Sequence, residues 1–330
     1  MPDLLSLFVL VVASAVLFAF INGANDAANS IATVIGTRNL APRTALIMAA
    51  CCEFAGAVTG TAVAKTIGKG IVFPEALTMG IILSGVAAVI VWAIAATLKG
   101  MPISLHHGLV AGLVGSAMAQ GGPSIINWRI LGRIFGAVVT WPVLGLLGGF
   151  ALMMAILWLC CRWKPAKVRI VFSKLEVGSA AFLAYSHGKN DGQVPIGLMA
   201  MGLMAFHSTT EFVIPLWTVL VAALSISLGT AVGGRRVIRT LGSRLTTLKP
   251  ENGFAAEASA ATLIEIASRL GLPVSTTHCI SSTIMGVGAT RRLSAVRWGI
   301  VEKIVLTWIL TFPGCAALGW LFGLLSRSVG

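Results

Sequence analysis

The chain has 330 residues, of which 57% are hydrophobic and 11% charged. Soluble domains carry about 25% charged residues, so this composition leaves too little polar surface to cover a water-facing fold. The net charge of +13 would suit a nucleic-acid surface. The basic residues, however, lie in short segments between apolar runs with no interleaved aromatics, so no nucleic-acid partner is expected.

Apolar stretches long enough to cross a bilayer recur along the chain, at 4–21, 77–98, 135–161 and 212–232. The start, Met1-Pro2-Asp3, lacks the basic n-region of a cleaved signal, and the first apolar run leads straight into a polar motif. It is read as the first transmembrane helix, in contact with the lipid bilayer. That motif, Asn22-Gly23-Ala24-Asn25-Asp26, lies inside an apolar run that continues to about Gly36. A straight helix of that length would overshoot the membrane, so a break is expected near 22–26. An ionisable group in hydrocarbon costs about 2.5–3.5 kcal/mol, so Asp26 should face a cavity or a partner. With Asn25 and Asn29 beside it, Asp26 could coordinate a cation or hold a proton. The alternative is a kinked helix whose aspartate only hydrogen-bonds a neighbour.

Glu53 follows in a stretch rich in Gly and Ala. It either completes the cation site, pairs with Lys99 or His106, or only fixes helix packing. The cysteines at 51, 52, 160, 161, 279 and 315 form no C-x-x-C pair and read as small packing residues.

Basic residues cluster after the first helix (Arg38, Arg43), at 162–174, at Arg235, Arg236, Arg239, Arg244 and Lys249, and at Arg291, Arg292 and Arg297. The other connections carry few: Lys65 and Lys69, then Arg129 and Arg133. Placing the clusters in the cytoplasm requires both termini outside and two segments, about 77–119 and 254–288, that enter and leave on one side. Those segments are expected to be re-entrant helical hairpins. Their tips match: Gly100-Met101-Pro102-Ile103-Ser104-Leu105-His106-His107 aligns with Gly271-Leu272-Pro273-Val274-Ser275-Thr276-Thr277-His278 at an offset of 171. The motif at 22–26 recurs as His187-Gly188-Lys189-Asn190-Asp191, offset 165, where a second break is expected over 186–192.

The chain thus reads as an internal duplication: a first repeat over 1–161, a basic cytoplasmic linker over 162–174 and a second repeat over 175–330. With the first copy starting outside and the second inside, the repeats are inverted. That is the plan of many secondary transporters, with the site between the halves. The fold class expected is an all-α polytopic membrane protein with broken helices and two hairpins.

At the tips, proline suits a first helical turn, and the hydroxyls and free N–H groups behind it suit an anion. Ser275-Thr276-Thr277 offers three hydroxyls and Ser104-Leu105-His106 one, so the second hairpin should make most of the contacts. The bland reading is helix capping. His106, His187 and His278 are candidate proton relays or hydrogen-bonded structural residues. Glu257 and Glu265 share a helix face, and Arg269 four residues after Glu265 suggests an ion pair. No metal-ligand spacing and no nucleophile elbow is present, which argues against a membrane enzyme. An anion channel is the other rival.

The runs Gly23-Ala24-Asn25-Asp26-Ala27-Ala28-Asn29-Ser30, Ser186-His187-Gly188-Lys189-Asn190-Asp191-Gly192-Gln193 and Gly271-Leu272-Pro273-Val274-Ser275-Thr276-Thr277-His278 resemble, in order, the inorganic phosphate transporter family. These are cation-coupled carriers also called low-affinity phosphate transporters. The resemblance implies a symporter of the cytoplasmic membrane, commonly a homodimer, with no cofactor. It implies phosphate, free or as a metal complex, at Ser104, Ser275, Thr276 and Thr277 with Asn25 and Asn190. The coupling cation, H+ or Na+, would sit at Asp26, Asp191, Asn25 and Asn190, to which the reading of the residues adds Asn29 and Glu53, and no other metal is expected. Gly192-Gln193 stands where sodium-coupled members place a second asparagine, which favours protons. Lys189 would suit a dianion, so sulfate is the alternative substrate.

The positive-inside pattern gives a direct expectation. A cysteine at Lys167, in a chain freed of other exposed cysteines, should be reached by an impermeant thiol reagent only from the cytoplasmic side. Labelling from outside intact cells would overturn the topology.

Overall fold

The computed structural model describes residues 4–99, 101, 103–233, 238 and 248–329. Expectations attached to Met1, Pro2, Asp3, Gly100, Pro102, Arg235, Arg236, Arg239 and Arg244 lie outside the described residues. Twelve helices of nine residues or more follow one another among the described residues, with no strand.

The first helix, α1, runs from Leu4 to Gly36 without interruption. The break expected near 22–26 is absent. Asn22, Asn25, Asp26 and Asn29 are all buried against other helices and find partners there, so the backbone ladder need not open to satisfy them. At 1.5 Å per residue α1 is about 50 Å long and must tilt to fit a bilayer. The next two helices, α2 (Pro42–Ala57) and α3 (Ala62–Gly70), form a bent pair with a 71° angle. The sequence reading did not foresee this break.

The first hairpin is α4 (Met79–Lys99) with α5 (Leu105–Gly121). After a short turn comes α6 (Trp128–Leu159), then α7 (Pro165–Asp191) and α8 (Gln193–His207), parted at Gly192. Gln193 holds that junction. Its side-chain oxygen accepts from the N–H groups of Val63 and Ala64 at 2.7 and 3.3 Å, capping α3, and its amide donates to Lys189 O at 2.5 Å. The remaining helices are α9 (Leu216–Val232), the second hairpin of α10 (Pro250–Arg269) and α11 (Thr276–Ala289), and the long α12 (Trp298–Val329).

The order hairpin, 3-10 turn, long helix occurs twice. Pro123–Ile125 precedes α6 and Leu293–Ala295 precedes α12. Both long helices contain a proline, Pro142 and Pro313. Both are pinned at their start by a tryptophan indole: Trp128 donates to Pro123 O at 3.0 Å and Trp298 to Leu293 O at 2.8 Å.

The two halves of the chain are not separate bodies. Hairpin α4–α5 packs on α12, and hairpin α10–α11 packs on α6. Likewise α1 packs on α9 and α2 on α7. Each of these crossings is closed by glycines. A Cβ at Gly23 or Gly229 would strike the backbone of the facing helix in α1–α9, as it would at Gly56 or Gly188 in α2–α7. Gly149 and Gly286 do the same for α6–α11, and Gly115 and Gly319 for α5–α12. Lipid offers no hydrophobic drive between helices, so such close backbone approach carries the packing.

Large apolar side chains along α1, α6, α9 and α12 are exposed, as a bilayer-facing surface requires. Among the described residues, four helices (Leu4–Gly36, Met79–Lys99, Trp128–Leu159, Trp298–Arg327) are long and apolar enough to cross a membrane, or up to five spans if the bent α2–α3 pair is one.

Gly286→Val and Gly149→Val should each force α6 and α11 apart and destabilise the protein by about 1–3 kcal/mol or more. Gly136→Val, where no atom lies near the added carbon, should be neutral. Thermal unfolding of the detergent-purified variants checks this.

Candidate functional site

The polar face of α1 carries Asn22, Asp26, Asn29 and Thr33, spaced by three or four residues and so aligned along one side of the helix, and Thr37 follows in the turn after it. Glycine contacts seat α1 on α9 and α2 on α7, and α1 in turn lies against both α2 and α7.

His187 is the hub. Its Nδ1 lies 2.8 Å from Glu53 Oε1, and its Nε2 lies 3.3 Å from Asp191 Oδ2 and 3.9 Å from Asp26 Oδ2. Asp191 Oδ2 also accepts from Asn22 Nδ2 at 3.3 Å and lies 3.6 Å from His106 Nδ1. The Thr230 hydroxyl donates to Glu53. All these side chains are buried. Glu53 therefore pairs with His187, not with Lys99 or His106. Three carboxylates share at most two imidazolium charges, so an added cation or proton has somewhere to go.

The hairpin tips meet beside this cluster. Thr277 Oγ1 lies 2.9 Å from the carbonyl of Ile103, in the first tip, and 3.5 Å from Asp26 Oδ1. The Asn29 amide donates to Thr277 and Thr276 at 2.9 and 3.3 Å. Ser104 and Ser275 cap their helices, accepting from the N–H groups of His107 and His278 at 3.3 and 3.2 Å. Capping uses each serine oxygen as an acceptor and leaves its O–H to bond elsewhere. Asn25 donates to Thr97 at 2.5 Å, and Asn190 to Ser268 at 2.9 Å and to Leu272 O at 3.3 Å.

Two sequence expectations fare differently. His278 stands apart from the carboxylates. Its ring packs on Trp308 and His107, with centroids 3.8 and 4.7 Å away, and lines an apolar groove with Phe135 and Phe312. Helical geometry explains it: His278 follows Thr277 by one residue, about 100° round α11, which turns its ring away from the Asp26 side. Lys189 does not point to a substrate either. Its ammonium pairs with Glu265 at 2.6 Å, and the expected Arg269–Glu265 pair is present at 2.7 Å.

The sequence reading missed Glu176. Together with Glu257 it continues the polar stripe beyond Asn29. Thr33 and Ser179 donate to Glu257, and Thr37 and Asn39 to Glu176, so the hydrogen-bond partners among the described residues are all neutral. The signal was available in the spacing: Glu176, Ser179, Leu183, His187 and Asp191 share a face of α7.

Oxygens without hydrogen-bond partners among the described residues concentrate at the centre: Oδ1 of Asn22, Asn25, Asn29, Asn190 and Asp191. Asp26, His187 and Asp191 offer ligand atoms within 4.8 Å of one another. An oxygen-rich set of this kind fits a hard monovalent cation or a proton. Buried hydroxyls and amides at two converging helix starts fit an oxyanion.

Comparison with known proteins gives a consistent result. The family model described as the Phosphate transporter family matches residues 22–319. A protein of Rhizobium meliloti named a probable low-affinity inorganic phosphate transporter is 41% identical over 314 residues, covering 94% of each chain. One of the same name from Bacillus subtilis is 38% identical over 322 residues, covering 97% of each. These names are those of transporters, as the carrier reading requires. A solved structure named the sodium-dependent phosphate transporter superposes with a TM-score of 0.88 at 28% identity, covering 98% of this chain and 100% of that one.

The hub geometry makes His187 structural as well as chemical. His187→Ala removes one partner from buried charges and should destabilise by about 3–5 kcal/mol. Glu53→Gln keeps a hydrogen-bonding group of the same shape and should cost less. Melting temperatures of the two purified variants check the order.

Proposed function

The chain belongs to the phosphate transporter family, and from that premise we propose that it imports inorganic phosphate across the cytoplasmic membrane as a secondary carrier, by alternating access, with protons as the coupling ion. The observation that carries this is the meeting of the two hairpin tips at Thr277 and Ile103, directly against Asp26. Phosphate would take its contacts from Ser275, Thr276, Thr277 and Ser104 and from the helix starts behind them. Both termini outside and a homodimeric assembly belong to the same proposal.

The charge count supports symport. An anion entering beside Asp26, Glu53 and Asp191 meets net negative charge unless cations arrive with it. His187 and His106, held among those carboxylates, supply proton-binding groups. Sodium is the second reading, favoured by the unpartnered amide oxygens and by the sodium dependence that the solved neighbour carries in its name. Phosphate is favoured over sulfate by Asp26. At neutral pH phosphate still carries an O–H that can donate to a carboxylate, whereas sulfate carries none and would only be repelled. The commitment of Lys189 to Glu265 removes the feature that spoke for sulfate.

Proteoliposomes holding the purified protein should accumulate labelled phosphate under an inward proton gradient, and labelled sulfate should not compete. Asp26→Asn and Asp191→Asn should each abolish accumulation while leaving a folded protein. Accumulation driven by sodium alone would overturn proton coupling. Normal accumulation by both variants would overturn the assignment of the cation site.

A further inference from the structure

Outside the central cluster, a cavity of about 200 Å³ opens between α3, the start of α6 and the bend that leads into the second hairpin tip. Its wall includes Lys65 and Thr66 of α3, Arg133 of α6, and Gly271, Leu272 and Pro273 of the tip. No carboxylate is among its lining residues, and neither Lys65 nor Arg133 has an ion-pair partner among the described residues. The nearest acidic group on the hairpin limb, Glu265, is already engaged by Lys189 and Arg269.

The ordinary explanation for such cations is a solvated rim at the membrane surface. Charge placement weighs against it. The basic clusters of this chain lie in other connections, and the pattern of Lys and Arg puts Lys65 and Arg133 on the extracytoplasmic side, where cations are sparse. Two of the few that occur there line one pocket. The pocket also adjoins the centre. The carbonyl of Leu272, in its wall, accepts from Asn190 of the Asn-Asp motif at 3.3 Å, and Pro273 precedes Ser275 by two residues. Gly271 takes a left-handed conformation, φ 68°, where a Cβ would press on Ala62 O and the Thr66 hydroxyl. A residue without a side chain thus keeps the tip close against α3.

We propose that this pocket is an outer anion site, where Lys65 and Arg133 hold phosphate before it moves to the Ser275–Thr277 tip. The inference rests on the phosphate reading above and adds to it a second, weaker site on the entry side. A cation about 5–6 Å from an anion's charge in a watery setting strengthens binding by about threefold, so two at that range would do so by about tenfold. Because the pocket is open to solvent, physiological salt screens most of the effect.

Two measurements with inorganic phosphate test it. In uptake assays at low ionic strength, Lys65→Gln/Arg133→Gln should raise the half-saturating phosphate concentration about tenfold with the maximal rate unchanged. The gap to wild type should close at high salt, and Lys65→Arg/Arg133→Lys should behave as wild type. In phosphorus NMR of purified protein, the Thr276→Ala/Thr277→Ala variant should still broaden the phosphate line at low salt, and adding Lys65→Gln/Arg133→Gln should remove that broadening. Equal broadening with and without the two cations overturns the pocket as an anion site, as does an unchanged half-saturation. The NMR result stands even if wild-type vesicles take up no phosphate, an outcome that would overturn the central reading alone.

Discussion

Everything at the centre of this protein depends on one difficulty: several carboxylates are buried where water cannot reach them, with too few cations to match. Charges in such surroundings persist only when paired and hydrogen-bonded. His187 meets that demand by facing Glu53, Asp26 and Asp191 at once, and Thr230, Asn22 and Thr277 supply the remaining bonds. The compensation is incomplete. Under the proposed symport, an incomplete balance of charge would favour the arrival of a cation, and the cation that of the anion.

That arrangement is held by backbone contacts more than by side chains. Gly188, the neighbour of His187, lies against the backbone of Glu53, so the closest approach of α7 to α2 is also where the His187–Glu53 bond forms. Gly23, beside Asn22, lies against Ile226 and Thr230, which brings the Thr230 hydroxyl to Glu53. Helix packing and site geometry are thus the same contacts seen at two scales. A methyl group added at either glycine would displace a backbone and with it a carboxylate.

The exchanged packing has a mechanical consequence. Each hairpin rests on the long helix of the other half of the sequence, α4–α5 on α12 and α10–α11 on α6, and among the described residues the tips are joined by the Thr277–Ile103 hydrogen bond. That tip bond is a single polar contact, whereas the glycine-lined crossings run between whole helices. Movement that separates the tips therefore costs far less than movement that separates a hairpin from its supporting helix.

Much of this was written in the amino-acid order. Composition required a membrane fold, and the matching motifs at 22–26 and 187–191 and at the two tips marked the polar residues that converge. Those signals are local: a carboxylate inside an apolar run is costly wherever the run goes. What the order could not supply was partnership. Whether α1 breaks depends on whether Asn22, Asn25 and Asn29 find acceptors on other helices, and they do, so the helix stays whole. Whether Lys189 serves a substrate depends on Glu265, 76 residues away. His278 faces Trp308 and not the carboxylates because of the rotation of α11, which the contacts of Gly286 with α6 fix. The sequence determined which groups must be satisfied inside the membrane. The tertiary structure decided by which neighbours, because helix rotation and register arise from packing between segments far apart in the chain.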